Sequence, residues 1–261
     1  MIEVVHKVDD LNFFYVWFMK ILFLLIPFFV LSQSIKVDYT YTTDEYVNQE
    51  TLIANQNSSY YYNKSFLGEN KKKDKINGNE ANLVQKNIKL NKIEYFQNKN
   101  NPILHFQLKY KGVNRLIIDS LPEINWNIDN KAIKKINGYT CNKAITKFRG
   151  REYEAWFTTQ IPINFGPFKF NGLPGLIISI NSIGGNSFNS WIATRINTKF
   201  DEKTDSKLCD DCITMSMREY IEFGQNLREK ASKASVARLP KGYNNVKTTY
   251  ERLSVERVFE W

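Results

Sequence analysis

The sequence predicts a mainly β (α+β) protein: a curved antiparallel sheet or half-barrel packed on one C-terminal helix. Three observations predict it. Period-2 alternation of β-branched and aromatic residues dominates the chain after residue 34. The connections between these runs are short and rich in Gly, Asn and Pro, which suits antiparallel meanders rather than βαβ crossovers. One segment, near residues 216–233, carries a helical stripe.

The predicted strands, in order, are Lys36–Thr43, Thr51–Asn63, Lys86–Phe96, Ile103–Lys111 and Arg115–Asp119. Lys134–Phe148, Glu152–Thr158, Leu176–Asn181, Phe188–Asn197 and Thr248–Val255 follow. Gly184-Gly185-Asn186 marks a hairpin turn. Residues 68–82 are polar, hold Lys71-Lys72-Lys73, and read as a loop. The helix starts at Ser216-Met-Arg-Glu219, where capping-box spacing lets hydroxyl and carboxylate satisfy orphan backbone donors. Met217, Tyr220, Ile221, Leu227 and Ala231 then form one apolar stripe, expected to lie on the concave face of the sheet.

Residues Leu11 to Leu31 are almost continuously apolar, broken by Lys20. A membrane-spanning helix needs roughly 20 apolar residues and would hold Lys20 in mid-span. A secretory signal counted from Met19 fits better: Met-Lys, then Ile21 to Leu31, then Ser32-Gln33-Ser34 near a cleavage position. Residues 1–18, with Glu3, Asp9 and Asp10, read as a non-native extension, 19–34 as a signal peptide, and 35–261 as one β-rich domain. The expected location is the periplasm, the outer surface or the medium, with an N-terminal membrane anchor as the alternative.

The formal net charge is +9, from 36 Lys and Arg against 27 Asp and Glu. The excess is scattered lysine in an Asn- and Ile-rich background rather than a basic stripe, so nucleic acid is not an expected partner. An apolar ligand, a peptide or an envelope component is.

The stretch from Asn137 to Ile180 is the most patterned. It contains Gly138-Tyr-Thr-Cys-Asn-Lys-Ala, Phe148-Arg-Gly-Arg, Ala155-Trp-Phe-Thr, Gly166-Pro-Phe-Lys-Phe and Gly172-Leu-Pro-Gly-Leu-Ile. Arg149-Gly150-Arg151 reads as a hairpin turn, Gly150 taking positive φ and the arginines lying outside the sheet. Tyr153, Ala155 and Phe157 share the core face; Glu152, Glu154 and Trp156 share the other. Gly166-Pro167 supplies one bend. Gly172, Pro174 and Gly175 supply another, with Gly175 in the left-handed position of a type II turn. Phe168, Phe170 and Leu173 then either plug the end of the sheet, the commoner use of such corners, or form a lip that meets a ligand. With Arg149, Arg151 and Trp156 they make the candidate ligand-binding set.

In its motifs and their order, this stretch resembles the GLPGLI family of Bacteroidetes-type bacteria. Phe157 departs from the pattern, standing where tyrosine is commoner. The resemblance implies an exported, β-rich protein without established activity and carries over no catalytic residues.

Cys209-Asp-Asp-Cys212 precedes the helix, and Cys141 is the third cysteine. A thioredoxin-like pair lacks its βαβ setting, and the aspartates would raise the thiol pKa. A zinc knuckle needs four ligands, and the chain after residue 34 has only the three cysteines plus His105. A disulfide in an oxidising compartment fits best, its connectivity open. His105 lies in an apolar strand and reads as a core residue. No G-x-S-x-G, H-E-x-x-H or P-loop occurs. No cofactor and no metal is therefore expected. The leading functional expectation is a non-enzymatic binding or accessory protein holding an apolar ligand between sheet and helix. The alternatives are an enzyme with a polar site at Lys143, Arg149, Arg151 and Glu152, or a metal or redox protein using Cys209 and Cys212.

Overall fold

A computed structural model describes residues 34–44, 46–63, 67–76, 79–89, 92–185, 187–200, 208–236 and 255–260. The expected extension and signal peptide, and most of the predicted strand Thr248–Val255, lie outside the described residues. Among the described residues, twelve strands form one sheet. They are β1 (Ser34–Thr43), β2 (Val47–Ala54), β3 (Ser58–Asn63), β6 (Ile93–Asn98), β7 (Asn101–Tyr110), β8 (Val113–Ser120) and β9 (Asn127–Ile136), then β10 (Tyr139–Phe148), β11 (Arg151–Thr158), β12 (Leu176–Ile183), β13 (Asn189–Phe200) and β14 (Ile213–Ser216). A separate hairpin pairs β4 (Leu67–Ile76) with β5 (Asn79–Lys89). Thus most of the stretch expected to be a polar loop is strand. One helix, α1 (Met217–Val236), follows β14.

The spatial order is β14-β8-β7-β6-β3-β2-β1-β13-β12-β11-β10-β9. All pairs are antiparallel except β14 on β8, which is parallel. The chain reaches β14 from β13 at a distant position in the sheet, so it need not enter as a hairpin partner.

Turn chemistry explains the boundaries. Lys111-Gly112, Asn137-Gly138 and Arg149-Gly150 each have two consecutive positive φ angles. That is the two-residue hairpin geometry whose twist matches the flanking strands. The predicted strand Lys134–Phe148 is therefore two strands hinged at Asn137-Gly138. Thr51–Asn63 is likewise split, because the Asn55 carboxamide accepts from the Asn57 and Ser58 N–H groups at 2.8 Å each. The predicted strand Lys86–Phe96 runs across the break between β5 and β6.

Alternation lines the inner face with a cross-strand row of side chains in each half of the sheet, the two offset by four residues along β1. From β1 to β14 one row reads Val37, Leu52, Tyr61, Tyr95, Phe106, Ile117 and Met215. In the other direction Tyr41, Trp191, Ile180, Ala155 and Ala144 face one another. All but Tyr95 and Met215 are buried, and those two pack against the core.

The sheet is open, with β14 and β9 as its edges, yet it is bent. Asp119 of β8 bonds Arg149, the residue after β10, at 2.8 Å. These strands lie nine positions apart in the sheet order. A flat sheet would hold them roughly 40 Å apart at about 4.8 Å per strand. The two halves therefore face each other across the core.

The hollow of the bend is filled by the chain itself. The connection between β11 and β12, residues 159–175, inserts Phe165, Phe170 and Leu173 as buried side chains. Phe168 stacks on Trp191 at 6.0 Å and meets Tyr95 edge-on at 5.5 Å, tying β13 to β6. Helix α1 covers the inner face at one end only, through Tyr220 on Phe106 and Phe223 on Tyr110. Its capping box is present: Glu219 Oε2 accepts from the Ser216 N–H at 2.7 Å, and Ser216 Oγ accepts from the Glu219 N–H at 3.3 Å. Among the described residues no helix is long and apolar enough to cross a membrane.

Candidate functional site

The Phe148–Arg151 turn and the Gly166–Leu176 connection build one site from neighbouring stretches of chain. Gly150, at φ 80, lets β10 reverse into β11. Arg149, itself at φ 45, sends its guanidinium into the protein rather than out to solvent. In the connection, the Gly166 N–H donates to the Phe170 carbonyl at 2.9 Å, and the Gly172 N–H to that of Asn164 at 2.9 Å. These bonds close a compact loop with Lys169 at its inner tip. Gly175 is not in the left-handed region expected for it. Glycine is required there by close approach, because a Cβ would overlap the backbone of Thr158. At Gly166 a Cβ would come within 2.6 Å of Ile177 Cδ1.

Arg149 Nη1 and Nη2 donate to the two carboxylate oxygens of Asp119 at 2.9 and 2.8 Å, a bidentate pair. Arg149 also donates to the carboxylate of Glu256. Lys169 Nζ donates to Asp119 at 2.8 Å and to both oxygens of Glu256 at 2.9 and 2.8 Å. Glu260 approaches Arg149 at 3.3 Å from the solvent side. The side chains of Arg149, Asp119 and Lys169 are at most 1% exposed. Burial pushes the Asp119 carboxyl up, but the hydrogen bonds and charges of Arg149 and Lys169 outweigh it and hold Asp119 below its ordinary value. The four buried charges join β8, the β10–β11 turn, the 159–175 connection and the segment Val255–Glu260.

A second buried carboxyl has different company. Glu50, on the inner face of β2 beside Leu52, accepts from Tyr61 Oη, from Trp191 Nε1 at 2.9 Å and from Asn48 Nδ2 at 3.4 Å. No cation is paired with it among the described residues. Burial pushes it up to about 8, with the Trp191 and Asn48 donors only partly restraining the rise.

The predicted site residues separate into three places. Arg149 and Arg151 are buried rather than held outside, Arg151 donating to the Ser187 carbonyl at 3.0 Å. Phe170 and Leu173 are buried in the core, and Phe168 is half-buried. Trp156 is half-buried on the outer face, where it donates to Glu154, and Lys143 pairs with Glu154 at 2.5 Å. Glu152 is exposed. Lys143, Arg149, Arg151 and Glu152 therefore do not converge. Cys209 and Cys212 are disulfide-bonded; Cys141 is free and buried, its thiol pushed up by burial. His105 is half-buried rather than a core residue.

Sequence reading missed Asp119, Lys169, Glu256 and Glu50. Two had a signal. Asp119 shares a strand face with Ile117, and β2, which begins at Val47, four residues before the predicted Thr51, puts Glu50 on the face of Leu52. A carboxyl on an apolar face is the anomaly to look for.

A shallow groove of about 390 Å³ opens beside the charge cluster, between α1 and the Val255–Glu260 segment. Ile221, Val258 and Phe259 form its apolar wall, and Arg218, Glu222, Gln225 and Arg257 its polar rim.

No curated protein matches the chain. Two solved structures of a protein called PNGF-II, in C2 and P21 crystal forms, align with TM-scores of 0.51 and 0.52 at 16% and 17% identity. Each covers 73% of this chain, which spans 32% and 33% of theirs. The likeness is one of fold. Residues 149–179, which hold Arg149, Gly150 and Lys169, match the model of a family whose description is "Protein of unknown function (Porph_ging)".

Proposed function

We propose that the chain is an exported, non-enzymatic binding or accessory protein of the GLPGLI kind, taking an apolar side chain of a peptide in the groove beside α1. The groove is the observation that carries this reading. Its volume lies in the usual range for ligand sites, and it sets apolar contact area between charges of both signs. The bend of the sheet, where sequence reading expected the ligand, is filled by Phe168, Lys169 and Phe170. The separation of Lys143 and Glu152 from the buried arginines favours binding over catalysis. The Cys209–Cys212 disulfide and the apolar run before Ser32 support export.

Native mass spectrometry of protein isolated from the envelope of the producing cell tests the reading. A bound peptide that Ile221→Asp removes is expected. A ligand-free protein, or a ligand retained by that variant, contradicts it.

A further inference from the structure

The segment Val255–Glu260 is held like a peptide ligand, residue by residue. Tyr153 Oη donates to the Val255 carbonyl at 3.0 Å. The Arg257 and Val258 N–H groups both donate to the Arg149 carbonyl, at 2.9 and 3.2 Å. Val258 lies over Gly150 so closely that a Cβ on the glycine would come within 2.7 Å of Val258 Cγ2. Phe259 stacks its ring 4.9 Å from the Arg149 guanidinium. The Glu256 carboxylate goes inward, to Arg149 and Lys169.

The attachment rests on few backbone bonds. Two consecutive N–H groups share one acceptor, and Val258 is 60% exposed. Specificity comes from side chains, above all from the buried carboxylate.

Charge makes the site demanding. With Glu256 in place, the buried cations Arg149 and Lys169 face the carboxylates of Asp119 and Glu256. Without it, Asp119 alone remains in the buried set and one positive charge is uncompensated. An unpaired buried charge is strongly destabilising. The pocket therefore requires an acidic group, whether its own or another's.

We propose that Arg149, Lys169, Tyr153 and the notch at Gly150 form a receptor for an acidic extended peptide, Glu followed three and four residues later by Phe and Glu. The chain's own Val255–Glu260 fills it in cis. This does not rest on the groove reading, because Glu256 rather than the groove wall carries it. Covalent attachment gives the resident segment an effective concentration of about millimolar. A free peptide gains access only when that segment is weakened.

The test uses full-length chains and a fluorescein-labelled peptide of residues 254–261, Ser-Val-Glu-Arg-Val-Phe-Glu-Trp. The Glu256→Gln chain is expected to bind it roughly 10-fold or more tightly than the unsubstituted chain. A peptide with Gln in place of its first Glu is expected to lose about 30-fold or more. If Glu256→Gln does not fold, Phe259→Ala loosens the segment from outside while leaving the buried charges intact. Equal binding by the substituted and unsubstituted chains, or equal binding of the two peptides, overturns the proposal.

Discussion

Asp119 and Glu50 are carboxyls buried in the same interior, yet their environments drive them in opposite directions. Asp119 meets two cations and is held low. Glu50 meets neutral donors and is pushed up to about 8. Burial acts alike on both; the partner decides the outcome. The paired region stitches four pieces of chain together, whereas the unpaired one weakens the fold at neutral pH.

The largest expected effect is in the paired region. Arg149→Met leaves Asp119 and Glu256 with Lys169 alone, and is expected to destabilise the protein by about 3–5 kcal/mol in urea unfolding. Replacing only Lys169 with Met keeps the bidentate Arg149–Asp119 pair and should cost less. A larger loss from Lys169→Met would place the dominant interaction at the ammonium.

Glu50 gives the opposite sign. Its carboxyl takes up a proton on folding between its ordinary 4.5 and about 8. Stability from this group is therefore full below about 4.5, falls as pH rises to about 8, and then levels off. Glu50→Gln removes that slope. The variant is expected to gain on the order of 2–4 kcal/mol over the unsubstituted protein between pH 4.5 and pH 8, read from chemical unfolding at each pH. Parallel stability profiles would show that Glu50 is an ordinary carboxyl. Asp119, held low, contributes stability above its ordinary 3.8 that is lost as pH falls through its folded value.

Two smaller changes test the connection that carries Lys169. Gly175→Ala forces a methyl into the Thr158 backbone and is expected to cost about 1–3 kcal/mol, read from the urea midpoint. Trp126→Phe removes the 2.8 Å bond to the Asn171 carbonyl and should cost about 1 kcal/mol. An unchanged midpoint for Gly175→Ala would mean that the connection is not packed against β11.

Much of the sheet was legible because alternation and turn chemistry are local. Tyr153, Ala155 and Phe157 face the core as their spacing predicts, and the capping box at Ser216 opens α1. Asn137-Gly138 was readable as a turn in principle, but the β-prone residues on both sides hid it. The parallel β14–β8 pair and the bend bring together residues distant in sequence, and no local period encodes that. The site suffered most from this. Arg149 looked like an exposed turn residue because its partners, Asp119 and Glu256, are 30 and 107 residues away. Lys169, flanked by two phenylalanines, showed its burial only through company it keeps in three dimensions.

Carboxyl-carbon NMR titration of the folded protein tests the central contrast most directly. The account predicts that Glu50 titrates near 8 while Asp119 titrates below 3.8. Both carboxyls titrating together near 4 would contradict it.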